Sequence, residues 1–160
     1  MIKILYKQKS FFQLFIIIIL FLSSYYRELW FRSINAIIEG EEYFYAKTTS
    51  LPFLMDWSQA ALLKLKYGLT VGFSLLFMGL SLWGIRKGFE AKLPYYLLLT
   101  YYGLIVLLAG IALLLGLGWW SFQEVYPFLR KLIGFVHSPL PYLMLSAASY
   151  AFRVILTDRK

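Results

Sequence analysis

The stretch Leu93–Gln123, LPYYLLLTYYGLIVLLAGIALLLGLGWWSFQ, runs for thirty-one residues without a charged side chain. A helix rises about 1.5 Å per residue, so about twenty apolar residues cross the roughly 30 Å hydrocarbon core of a bilayer. The stretch exceeds one crossing, and Trp119 and Trp120 mark its far interface. Its spanning part is expected at Tyr95–Gly118.

Further runs of this kind lie on both sides. Tyr67–Ile85 is uncharged for nineteen residues. Phe11–Tyr26 has Gln13 as its strongly polar member, follows Lys3, Lys7 and Lys9, and ends near Tyr25, Tyr26 and Trp30. A charged start, a short apolar run and the small Ser23 and Ser24 also outline a signal peptide. No A-x-A-like site follows, and Ser24 leads directly into Tyr25, Tyr26, Arg27 and Glu28, so retention as a membrane helix is expected. The fourth run opens on Ser138 as helix cap, with Pro139 at the first helical position and Pro141 still in the first turn. It reaches Thr157, with Arg153 near its end able to snorkel to headgroups.

Composition agrees. The chain of 160 residues is 61% hydrophobic and 15% charged, whereas soluble domains are about 45–50% apolar and about 25% charged. So large an excess excludes a soluble enzyme, a disordered chain and a free nucleic-acid-binding domain. The absence of Cys excludes disulfides, thiolate metal sites and a Cys nucleophile, and the single His excludes a multi-His metal site within one chain. The expected fold is all-α: one polytopic membrane domain over 1–160. Its four transmembrane helices are expected near 11–30, 57–86, 94–118 and 139–157, with interfacial amphipathic helices in the outer connections.

Those connections carry their own signals. Ser121 and Glu124 have capping-box spacing, and apolar residues from Phe122 to Val136 recur every three or four positions. This predicts an amphipathic helix at the membrane surface, broken or kinked at Pro127. In the connection from Arg27 to Lys66, Asp56 and Gln59 predict a helix starting at Trp57. Gly72 and Gly79, Ser74 and Ser81, and Gly103 and Gly110 repeat at seven residues, a spacing that predicts close helix packing within the chain.

Dense positive charge precedes the first run, joins the second to the third at Arg86, Lys87 and Lys92, and ends the chain at Arg153, Arg159 and Lys160. The opposite connections are longer and mixed in sign. The positive-inside rule therefore predicts both termini in the cytoplasm, and part of the net charge of +8 attracts anionic lipid. The cytoplasmic segments are too short to build a nucleic-acid-binding surface.

Candidate chemistry is sparse. His137 beside Ser138 could serve as a general base or partner-site donor, but a helix start with Ser138 as cap and His137 at the headgroups explains the pair better, and neighbours in sequence do not by default converge as base and nucleophile. Arg27, Glu28 and Arg32 form a charge cluster at the outer end of the first helix, read most simply as interfacial charge. Glu39, Glu41 and Glu42 lack EF-hand spacing and read as a solvated loop. Phosphate-loop, HExxH and GxSxG patterns are absent. No cofactor is expected.

One further pattern is ordered along the chain: Tyr26-Arg27-Glu28, Arg32-Ser33-Ile34-Asn35, Pro52, Leu63-Lys64, Leu129-Arg130 and Phe135-Val136-His137-Ser138-Pro139. With four crossings and this length, the chain resembles the small membrane proteins associated with exosortase systems in Bacteroidota, most nearly the exosortase X-associated type. Exosortases resemble membrane-embedded cysteine transpeptidases. This chain has no Cys, so the resemblance implies an accessory partner rather than the enzyme. It nominates Arg27, Glu28, Asn35, Arg130 and His137 for partner contact. The expected function is a non-enzymatic accessory subunit of an inner-membrane complex, in exosortase-linked protein sorting or surface-polymer export. The alternatives are an enzyme with an outer-interface site near His137, or a small transporter or channel component.

Overall fold

The computed structural model describes residues 2–40, 51–89, 92–118 and 121–158, with side chains for 11–40, 51–89, 92–118, 121 and 123–151. Five α-helices account for nearly all of it: α1 Ile2–Glu39, α2 Gln59–Gly88, α3 Leu93–Gly118, α4 Phe122–Val136 and α5 Leu140–Asp158. The protein is an all-α, multi-pass membrane protein. Three helices are long and apolar enough to cross a bilayer alone, and α4 with α5 makes a fourth crossing if the pair, bent by 42°, is one broken span.

α1 runs well beyond the expected 11–30. Nothing in its sequence stops it, since the first glycine is Gly40 and no proline comes earlier. Gly40 then takes φ 71°, and its N–H donates to the Ala36 carbonyl at 2.9 Å, a left-handed C-terminal cap. α2 begins at Gln59, two residues after the expected start at Trp57. A 3₁₀ turn at Pro52–Leu54 carries the chain past Asp56, and Ser58 caps instead, its Oγ accepting from the Ala61 N–H at 3.3 Å. α5 starts one residue later than expected, with the Ser138 hydroxyl accepting from the Leu140 N–H at 3.2 Å.

α1 and α2 lie antiparallel. Phe12 meets Trp83 edge-on at 5.0 Å, Phe31 lies 6.3 Å from Phe73, and Lys66 donates to Asn35 at 2.7 Å. Between them sits the main core, where Ile16, Leu20, Phe77, Ile85, Tyr102 and Tyr142 draw in α3 and α5. A second cluster of Ile34, Leu54 and Leu62 clamps the C-terminal end of α1 to the N-terminal end of α2. The outward faces stay apolar, with Leu114 71% and Leu117 80% exposed. Unbroken apolar surface on this scale requires lipid around it.

Of the expected small-residue seams, the serine pair lies inside the bundle, with Ser81 fully buried and Ser74 bonded to His137, while the glycine pairs do not. A Cβ at Gly72, Gly79, Gly103 or Gly110 would meet nothing within 4 Å, so these glycines open outward. The close approach is at Gly84, where a Cβ would lie 2.8 Å from the Tyr142 ring and 2.9 Å from Ile16.

α4 keeps its amphipathic character and its Ser121 start, where the Ser121 N–H donates to Glu124 Oε2 at 3.4 Å. Pro127 does not break it, because the helix is continuous from Phe122 to Val136. Nor does α4 lie across the bundle end at the membrane surface. It turns back along α3: Val125 and Leu129 pack on Ala109 and Ala112, and the Tyr101 hydroxyl donates to the Phe135 carbonyl at 3.5 Å. The apolar stripe is covered by protein rather than by lipid.

Candidate functional site

The uncharged run of α2, residues 67–85, is about 28 Å long and has its middle near residue 76. Beside that middle, not at the headgroups, lies His137. It is 2% exposed, and its ring stands 5.8 Å from Phe77 and 6.4 Å from Phe73. It forms the C-terminal cap of α4, its N–H donating to the Ile133 carbonyl at 3.0 Å. The break between α4 and α5 therefore lies deep in the bundle. Non-helical backbone at such depth is tolerated only when buried in protein or facing a polar cavity; here the bundle buries His137, and Ser138 and Pro139 are half-buried.

The serine that meets His137 is Ser74, not its neighbour Ser138. Nε2 lies 2.8 Å from Ser74 Oγ, and Ser74 Oγ also donates to the Thr70 carbonyl at 2.8 Å. A hydroxyl has one proton. Since Thr70 offers only an acceptor, both contacts are satisfied together when the Ser74 proton goes to Thr70 and the ring, as its Nε2–H tautomer, donates to Ser74. This is the reverse of a base activating a nucleophile, which must accept the hydroxyl proton. Nδ1 is buried without a partner, so no carboxylate orients the ring.

Above this point a cleft of about 570 Å³ opens between α1, α2 and α4. Arg27, Glu28 and Asn35 line it from α1, Lys66 and Thr70 from α2, and Tyr126 and Arg130 from α4. Four of the five residues nominated by the sequence thus converge on one cavity, while His137 lies deeper, outside its lining. Arg32, Lys66 and Thr70 belong to the site without having been nominated. The antiparallel register of α1 and α2 brings Lys66 opposite Asn35, a relation that sequence spacing does not display.

The α1 charges are ordered. Glu28 accepts from Arg32 Nε at 2.6 Å and stands 3.5 Å from Arg27 Nη1. Arg27, with 23% of its side chain exposed, stacks 5.1 Å from the centroid of Phe31, and its Nε is buried without a partner. Arg130 is exposed and makes no ion pair among the described residues, yet its charge acts on both Arg27 and Lys66. Among the described residues, four cations and two carboxylates, Glu28 and Glu39, line the cleft, a formal excess of two positive charges. Such a surface attracts anions. Glu41 and Glu42 lie outside the described residues. No family profile, curated protein or solved structure matches the chain.

Proposed function

We propose that the chain is a non-enzymatic accessory subunit of an inner-membrane complex, and that it engages its partner through the outer cleft. The observation carrying this reading is the convergence of Arg27, Glu28, Asn35 and Arg130 on one open cavity that is cationic among the described residues. Charged groups within a membrane bundle are costly and mark function by default. The resemblance to exosortase-associated proteins supplies the partner class: an exosortase-like membrane enzyme acting in protein sorting or surface-polymer export. The charge pattern along the chain supports placing both termini in the cytoplasm and the cleft on the outer face.

The test is recovery of the complex in mild detergent, read beside cellular output. Arg27→Ala and Arg130→Ala should weaken partner recovery, because an interfacial charge stripped of its counterpart costs about 2–5 kcal/mol. His137→Ala should have a graded effect. Intact complexes with output abolished only by His137→Ala would overturn this reading in favour of catalysis.

A second reading, a small transporter, draws on the helix break at His137 deep in the bundle. Against it, the main core of Leu20, Phe77 and Ile85 fills the bundle below that break, and the polar groups buried there among the described residues, the hydroxyls of Ser81, Tyr102 and Tyr142, carry no charge. Substrate flux in proteoliposomes carrying the purified chain alone would favour the transporter.

A further inference from the structure

We propose that the cleft is a binding site for the phosphate of an anionic lipid, with the lipid chain lying along the outer face of α1. The proposal rests on the reading that the cleft is the functional contact site, and it names the ligand.

Charge comes first. Arg27, Arg32, Lys66 and Arg130 converge with Glu28 and Glu39 as the opposing carboxylates, and Arg130 repels both Arg27 and Lys66. Like charges held together beside a membrane need a counter-anion. Arg27 retains a buried Nε without a partner, and Arg130 has no ion pair among the described residues. A lipid phosphodiester carries one negative charge and offsets part of the excess, and it suits guanidinium groups better than a carboxylate does. It offers more acceptor oxygens, and guanidinium forks engage them in pairs.

Shape comes second. At Glu28 the cleft adjoins a shallow groove along α1 lined by Phe21, Ser24, Tyr25 and Leu29. These positions recur at three and four residues, so they form one stripe, and it descends about 10 Å from Glu28 toward the middle of the bundle. Phe21 and Tyr25 are more than half exposed on it. A soluble anion would leave this stripe unused, whereas an amphiphile fills both halves.

The purified full-length chain can be offered equimolar phosphatidylglycerol and phosphatidylcholine and read by native mass spectrometry. Retained phosphatidylglycerol should exceed phosphatidylcholine about tenfold, the value of one charge-assisted contact. Arg130→Ala should remove most of that preference and Arg130→Lys should keep it, while Lys87→Ala, at the other end of α2, should leave it unchanged. Phe21→Gln should weaken retention of both lipids. Equal retention of the two lipids by the native chain would overturn the proposal. So would displacement of phosphatidylglycerol by millimolar pyrophosphate with no effect of Phe21→Gln, which would assign the cleft to free phosphates. Displacement by a glutamate-rich peptide, with no lipid preference, would assign it to a protein. Because lipid retention is read on the isolated chain, its loss in Arg130→Ala with partner recovery intact sinks only the accessory reading. The converse sinks only the lipid.

Discussion

Gly84→Ala and Gly79→Ala are the same chemical change on the same helix, five residues apart. Each replaces a mid-helix glycine, which favours the helix by about 0.8–1 kcal/mol. They differ in what the new methyl meets. At Gly79 nothing lies within 4 Å. At Gly84 the methyl carbon would stand 2.8 Å from Tyr142 Cε2 and 2.9 Å from Ile16 Cγ2, closer than real methyl contacts. Tyr142 and Ile16 are themselves fully buried, so neither side chain has room to withdraw. Overpacking of this kind costs about 1–3 kcal/mol. Gly79→Ala should therefore stabilise slightly, while Gly84→Ala should be neutral to destabilising by about 2 kcal/mol once the helix gain is subtracted. The gap between the two, about 1–3 kcal/mol, isolates the packing because the propensity gain cancels. Reversible unfolding in mixed micelles by titration with sodium dodecyl sulfate reads both values. Equal shifts for the two variants would refute the contact of α1, α2 and α5 at this point.

Three further outcomes are expected. The chain has no Cys, so single cysteines report exposure cleanly: Leu129→Cys, at a position 6% exposed, should react with a maleimide at least about tenfold slower than Arg130→Cys. Ser74→Ala removes the 2.8 Å bond to His137 Nε2 and should destabilise by about 1 kcal/mol while output persists in proportion to folded protein. A double-mutant cycle of Asn35→Leu and Lys66→Met should return a coupling of about 1 kcal/mol, and a coupling of zero would remove the 2.7 Å bond as a tie between α1 and α2.

The crossing helices are legible in the sequence because lipid demands uncharged length. Leu93–Gly118 needs no partner to be recognised as a span, and the structure returns it within a residue or two. What covers a face is another matter. The period of Val125, Leu129, Leu132 and Val136 says that one side of α4 is apolar, but lipid and the alanines of α3 satisfy that side equally. The glycines show the same limit. A seven-residue repeat places Gly72 and Gly79 near one face without saying whether a helix lies against it, and Gly84, outside the repeat, carries the contact. At the site, Arg27, Glu28 and Asn35 are close in sequence and could be nominated together. Lys66 and Thr70 join them only through the α1–α2 register. Capping signals at Ser138 read identically at a headgroup surface and at a break deep in a bundle, so the burial of His137 had no signature of its own.

α1 continues for twelve residues beyond Arg27, about 18 Å of rigid rod. Ile34, Leu54 and Leu62 bolt that rod to the first turns of α2, so it cannot swing freely. Its tip near Glu39 is therefore set at a fixed elevation and compass bearing relative to the cleft. Inserting a single residue after Arg27 would raise the tip by about 1.5 Å and turn it by about 100°. Whatever meets the tip and the cleft together is gauged by a ruler with one-residue gradations.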